Sequence, residues 1–164
     1  MSNDNDLLFG AIEAGGTKMI CAILNKDAKI IKEITIPTTT PDETIKKILS
    51  FFSSHKILSL GIGTFGPVDL HKNSENYGTI LNTPKLAWKN FSYIKELSSL
   101  NVPMSIETDV NASCLGEVIY GSSKGLENAA RVAFVIEGND EDGKATTAYT
   151  GLWKDCNGGS ILYS

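Results

Sequence analysis

Three short stretches of this chain carry residues whose types and spacing could do chemistry. The first is Glu13-Ala14-Gly15-Gly16-Thr17-Lys18. Glycine lacks a Cβ, so a Gly-Gly turn lets backbone N–H groups approach phosphate oxygens without a clash. Thr17 adds a hydroxyl donor and Lys18 a counter-charge. The same letters also spell a plain hairpin turn that needs φ > 0, and taken alone they favour that reading. The second stretch, Gly61-Ile62-Gly63-Thr64-Phe65-Gly66, matches G-x-G-x-x-G. A dinucleotide loop of that spelling must open a helix and be followed by an acidic residue about 20 positions on. Here Pro67 and a polar loop follow, and positions 84–88 read Pro-Lys-Leu-Ala-Trp, so that reading fails. A close-approach loop at the carboxyl end of a strand survives, where α/β proteins place ligands. The third is Glu107-Thr108-Asp109-Val110-Asn111, a strand end meeting a helix start. Asp109 is explained by helix capping; the alternative is a general base that takes a proton from an attacking hydroxyl.

Other chemistries lack their signatures. There is no G-x-x-x-x-G-K-[ST], protein-kinase set, nucleophile elbow or H-E-x-x-H, which disfavours nucleophilic and zinc hydrolases. The acidic run at 137–142 lacks the spacing of an EF-hand and reads as a solvated turn. Cys21, Cys114 and Cys156 are odd in number and far apart, and only His55 and His71 could join them at a metal. Reduced thiols, with neither a disulfide framework nor a zinc knuckle, are expected. A net charge of −4 suggests no surface for nucleic acid or anionic membrane. The start of the chain is polar and acidic, unlike a signal peptide, and no apolar run nears the roughly 20 residues that span a bilayer. A cytoplasmic location is expected. With 164 residues, 41% hydrophobic and 21% charged, the chain suits one ordinary globular domain.

The elements that would position these stretches follow from pattern. Strands are expected at 7–14, 18–24 and 28–36, joined by turns at 15–17 and 25–27, giving an antiparallel meander. Thr40, Pro41 and Glu43 form a T-x-x-E capping box, and Ile45, Ile48, Leu49 and Phe52 mark the buried face of the helix behind it. A buried strand is expected at 57–62 and a short helix around Phe91, Ile94 and Leu97. Another strand at 104–108 precedes a helix at 110–120, with Leu115, Val118 and Ile119 as core contacts. The last expected strand is 131–136; beyond Gly138 the pattern turns polar and loses its period. The order βββ, α, β, α, β, α, β is an α/β arrangement that a plain Rossmann fold would not begin with.

Taken in order, these motifs resemble the ROK-family sugar kinases. They are Glu13–Lys18, Gly63-Thr-Phe-Gly-Pro-Val-Asp69, Tyr77-Gly-Thr-Ile-Leu-Asn-Thr-Pro-Lys85 with Trp88, and Thr108-Asp-Val-Asn-Ala112 with Leu115-Gly-Glu117. The glutamate ahead of Gly-Gly-Thr and the Thr-Asp-Val-Asn wording are similar to the fructokinase branch. The resemblance implies the N-terminal lobe of an actin-like ATPase (RNase H-like) fold over 7–137. It implies ATP-dependent phosphorylation of a hexose, most simply fructose to fructose 6-phosphate, with Mg²⁺ as cofactor. Gly15, Gly16, Thr17 and Lys18 would form the phosphate loop, and Asp109 would be the general base. Gly66, Pro67, Asn82, Thr83 and Thr108 would lie along the sugar cleft, with Glu117 supporting its helix. No residue is implied as a metal ligand.

The departures from the family pattern lie after the strand at 131–136. A Thr-Gly-rich second phosphate loop is replaced by Glu137-Gly-Asn-Asp-Glu-Asp142, and the family's histidine-containing sugar motif and cysteine-rich zinc motif are missing. So are the helices that complete the nucleotide pocket and, in this often dimeric family, the subunit interface. The expectation is a truncated or frame-disrupted product whose residues 138–164 form a divergent, poorly ordered tail. Such a chain alone would phosphorylate fructose weakly or not at all; the alternative is a non-catalytic sugar-binding or vestigial half-kinase. A repressor of this family would need a DNA-binding segment ahead of the hairpin, where only six residues precede Leu7.

Overall fold

Two mostly apolar runs on either side of the Gly15-Gly16-Thr17 turn build an antiparallel pair, β1 (Leu8–Ala14) and β2 (Lys18–Asn25). The computed structural model describes residues 7–120, 133–139, 145–154 and 160–163, the last three ranges as backbone strands only. Asn25 Oδ1 accepts from the N–H groups of Asp27 and Lys29 and turns the chain into β3 (Ile30–Pro37), which pairs antiparallel with β2. After helix α1 (Pro41–Ser53) the chain re-enters the sheet as β4 (Ile57–Thr64), parallel to β1. β5 (Met104–Thr108) then pairs parallel to β4, giving the order β3-β2-β1-β4-β5. The expected meander and α/β units are all present.

One face of this sheet carries the core. Ile12, Ala14, Met19, Cys21, Ile23, Leu60, Ile62 and Ile106 pack against Ile45, Ile48, Phe51 and Phe52 of α1. Burying each large apolar side chain is worth about 1.5–3 kcal/mol, which explains why α1 sits where its apolar stripe dictates. Its cap differs from the expected box. Thr40 makes no side-chain cap bond; Thr39 Oγ1 donates to Glu43 Oε2 at 2.8 Å, and Thr39 N–H donates to Thr44 Oγ1 at 3.1 Å. The box has slipped one residue because buried Thr44 takes over the capping. The short helix is α2 (Tyr93–Glu96), followed by a 3₁₀ turn at Ser98–Leu100 that ends at left-handed Asn101.

The chain divides into two compact units, Met1–Asp109 and Val110–Ser164. Helix α3 (Asp109–Ile119) starts at the last residue of the first unit. Leu115 and Ile119, expected in a core, are 60% and 44% exposed, and none of the α3 residues is buried. Their apolar character marks a face that the described residues leave open. The second unit also holds an antiparallel sheet, β6 (Ala133–Asn139), β7 (Ala145–Lys154) and β8 (Ser160–Tyr163). β6 is the strand expected at 131–136, displaced towards the C-terminus, whereas β7 and β8 had no signal in the sequence reading. The solvated turn expected at 137–142 is corrected over its first half, since Glu137, Gly138 and Asn139 continue β6, with Glu137 and Asn139 paired to β7; its remaining residues and Cys156 lie outside the described residues.

Candidate active site

The three parallel strands end in one row. Ala14 is paired with Thr64, and Thr64 with Thr108. Neighbouring strands lie about 4.8 Å apart, so the three ends span roughly 10 Å. From them emerge the Gly15–Thr17 turn, the Phe65–Pro67 loop and the start of α3 at Asp109. Phe65 N–H donates to Ala14 O at 2.9 Å and ties the first two ends together.

The turn after β1 is held from within and from outside. Gly15 N–H donates to Lys18 O at 3.0 Å. Thr38 Oγ1 donates to Gly15 O at 2.8 Å, and Thr38 N–H to Thr17 O at 2.9 Å. The glycines do not serve a left-handed conformation, contrary to the hairpin expectation, since neither has positive φ. Gly15 is required by close approach instead: a Cβ there would lie 2.6 Å from Lys18 O. Within the described residues the N–H groups of Gly16 and Thr17 have no backbone acceptor. Beside them stand the Thr17 hydroxyl and the exposed Lys18.

The sugar-cleft candidates meet on the same rim. The Gly66–Pro67 peptide is cis, and a Cβ on Gly66 would lie 4.0 Å from Thr108 Cγ2. Pro67 O accepts from Leu81 N–H at 2.8 Å, and Val68 bridges Ile80, which brings the segment with Asn82 and Thr83 against the loop. Asn82 is exposed, whereas Thr83 is buried and its hydroxyl accepts from Lys85 N–H at 3.3 Å. Thr108 N–H donates to Glu107 Oε1 at 2.9 Å, and Thr108 and Asp109 are half-buried. All ten residues singled out by sequence therefore lie in the first unit, along connected loops at one end of the sheet.

Beneath the rim the packing is apolar and does not titrate near neutrality. Trp88 is 2% exposed, with ring contacts to Phe65, Phe91 and Tyr93, and its Nε1–H donates to Thr39 O at 2.9 Å. Burial pushes the Cys21 thiol up to about 12 and holds the Tyr93 phenol far above its usual range. A separate cleft of about 350 Å³, lined by Asn76, Thr79, Asn90 and Ser92 among others, contains none of the rim residues. Of the residues that border the rim, Thr38 carries no signal in the sequence, and Lys85 and Trp88 stand at the end of the Tyr77–Lys85 motif and just after it without an assigned role. Only the reach of the loops in space reveals their place.

The family model described as "ROK family" matches residues 9–136. The chain belongs to the ROK family. It is 43% identical over 121 residues to the fructokinase of Lactococcus lactis subsp. cremoris, covering 73% of this chain and 41% of that protein. It is 40% identical over 124 residues to the fructokinase of Pediococcus pentosaceus, covering 75% of this chain and 43% of the relative. The chain thus spans about two fifths of the length of the curated relatives it matches. A ROK family glucokinase from Streptomyces griseus, solved with glucose and AMPPNP, superposes with a TM-score of 0.64 at 20% identity, over 96% of this chain and 48% of that one. The fold is accordingly that of the actin-like ATPases, with β1–β5 as the sheet of the N-terminal lobe.

Proposed function

We propose that this ROK-family chain carries the sugar- and phosphate-binding half of a hexose kinase, most simply one that converts fructose to fructose 6-phosphate with ATP. The observation that supports it best is the row Ala14–Thr64–Thr108. It sets the phosphate turn, the Gly66–Pro67 loop and Asp109 on one rim roughly 10 Å wide, a span that fits one hexose and one phosphoryl group. That relatives 40–43% identical are named fructokinases supports fructose rather than glucose as the sugar.

In this reading the Gly16 and Thr17 N–H groups, the Thr17 hydroxyl and Lys18 hold the terminal phosphate oxygens. Asn82 and the Gly66–Pro67 loop orient the sugar, and buried Thr83 keeps that loop in shape. Asp109 accepts the proton of the sugar hydroxyl as its oxygen bonds to the γ-phosphorus and the bond to ADP breaks. Positioning and charge stabilisation supply most of such a rate enhancement, with a general base contributing about 10²–10⁴-fold. Among the described residues no group of three His, Cys, Asp or Glu could hold a metal ion. Mg²⁺ would enter with the triphosphate, held mainly by phosphate oxygens and waters. Use of ATP would suit a cytoplasmic location.

The test is an assay coupling ADP release to a chromophore, run with fructose, glucose and mannose. Release that depends on fructose, and less on the other two, is expected. Turnover indifferent to the sugar would overturn the reading.

A further inference from the structure

The glycine turn has a second cation over it that belongs to another part of the chain. A Cβ built on Gly16 would lie 2.9 Å from Lys85 Cε and 3.9 Å from Lys85 Nζ, so the Lys85 side chain lies across the space that glycine leaves open. Lys85 is remote in sequence from the turn and reaches it through a chain of bonds. Its N–H donates to the hydroxyl of buried Thr83, and its carbonyl accepts from Trp88 N–H at 2.8 Å. Trp88 Nε1–H donates to Thr39 O, and neighbouring Thr38 holds both Gly15 O and Thr17 O. The loop carrying the cation and the turn carrying the bare N–H groups are thus fixed to the same segment, 38–39. Lys85 is exposed and forms no ion pair with a carboxylate among the described residues.

An ammonium without a carboxylate partner, held over two unspent N–H groups, is suited to an anionic oxygen. The rim orders the groups as Lys85 and the turn at one end and Asp109 at the other. We propose that Lys85 is a further phosphoryl-binding residue, contacting the phosphoryl group that passes from the nucleotide to the sugar. This rests on the kinase reading for the identity of the phosphoryl group, but not for the presence of an anion site. It also explains the second glycine of the turn: Gly15 answers to the backbone, whereas Gly16 leaves room for the Lys85 stem.

The experiment is calorimetric titration of the full chain with magnesium tripolyphosphate, with fructose 6-phosphate and with fructose. The proteins are the wild type, Lys85→Gln, Lys85→Arg and Gly16→Ala, with matching melting curves as the check on folding. A charge-assisted contact predicts a loss of roughly tenfold or more for the phosphate ligands in Lys85→Gln. Lys85→Arg should restore most of it, Gly16→Ala should weaken the same ligands by displacing the side chain, and fructose affinity should stay unchanged. Loss on tripolyphosphate alone assigns Lys85 to the nucleotide side of the transfer, and loss on fructose 6-phosphate as well assigns it to the group in flight. Equal phosphate affinities in wild type and Lys85→Gln, or no phosphate binding by the wild type, would overturn the proposal. Phosphate binding without fructose binding would leave Lys85 in place and sink the sugar-kinase reading instead.

Discussion

Replacing Gly15 with alanine isolates what the turn needs from its glycine. The Cβ would sit 2.6 Å from Lys18 O, and real Cβ contacts essentially never fall below 3.0 Å. The two atoms must therefore separate by at least 0.4 Å, the difference of those distances. Both belong to backbone, and they flank the Gly15 N–H to Lys18 O bond at 3.0 Å, so no side chain can swing away to relieve the contact. Overpacking of this kind costs about 1–3 kcal/mol, and a strained hydrogen bond adds about 1 kcal/mol. For a unit of this size that corresponds to a fall in Tm of roughly 5–20 °C. Gly16→Ala differs by one position and meets only Lys85 Cε at 2.9 Å, the far end of a flexible side chain. Its stability should stay within about 0.5 kcal/mol of wild type. Thermal unfolding followed by Trp88 fluorescence, in a Trp153→Phe background, measures both. Equal stability of the two variants, or Gly16→Ala as the weaker, would refute the argument from close approach.

Two further perturbations test the supports of the rim. Trp88→Phe keeps a ring in the core but leaves Thr39 O without its 2.9 Å donor, which should cost about 1–3 kcal/mol. It should also speed hydrogen exchange at Thr38 N–H, the bond that holds Thr17 O; unchanged exchange there would separate Trp88 from the turn. Asp69 accepts from the Ser74 hydroxyl at 2.6 Å and from His71 N–H at 2.9 Å, which together hold its carboxyl below the usual value. A lowered folded pKa gives stability that is present above the ordinary carboxylate value of about 3.9 and lost as pH falls through the folded one. Wild type should therefore melt above Asp69→Ala at neutral pH, with the gap closing in acid; a gap that persists to the lowest pH would contradict this.

Local signals were enough for the sheet and for the ends of its strands. The apolar runs of β1 and β2 and the turn residues between them, the Pro41 start of α1, and the bounds of β5 all follow from residue type and spacing, and the parallel register then fixes which loops share a rim. What failed to show depends on tertiary geometry. Thr39 and Thr44 displaced the expected capping box because Thr44 is buried against the core. The role of Gly15 lies in a 2.6 Å approach that no turn rule contains. Lys85 ends one of the motifs that carry the family resemblance, but the motif assigns it no role; its place over Gly16 comes from the Trp88 and Thr38 bonds that hold its loop against the turn. β7 and β8 are the converse case, strands formed where the polar composition gave no period. Leu115 and Ile119 show that apolar spacing on a helix states which face wants cover without stating what covers it.

Asp109→Asn tests the central claim most directly, because it keeps size and hydrogen-bonding capacity while removing the base. The measurement is fructose-dependent ADP release by wild type and variant, alongside a fructose titration of each. Fructose binding that persists while turnover falls by roughly 10²-fold or more is the expected result. A variant that turns over fructose at the wild-type rate would show that the carboxylate at the end of β5 is not the base and that the rim does different work.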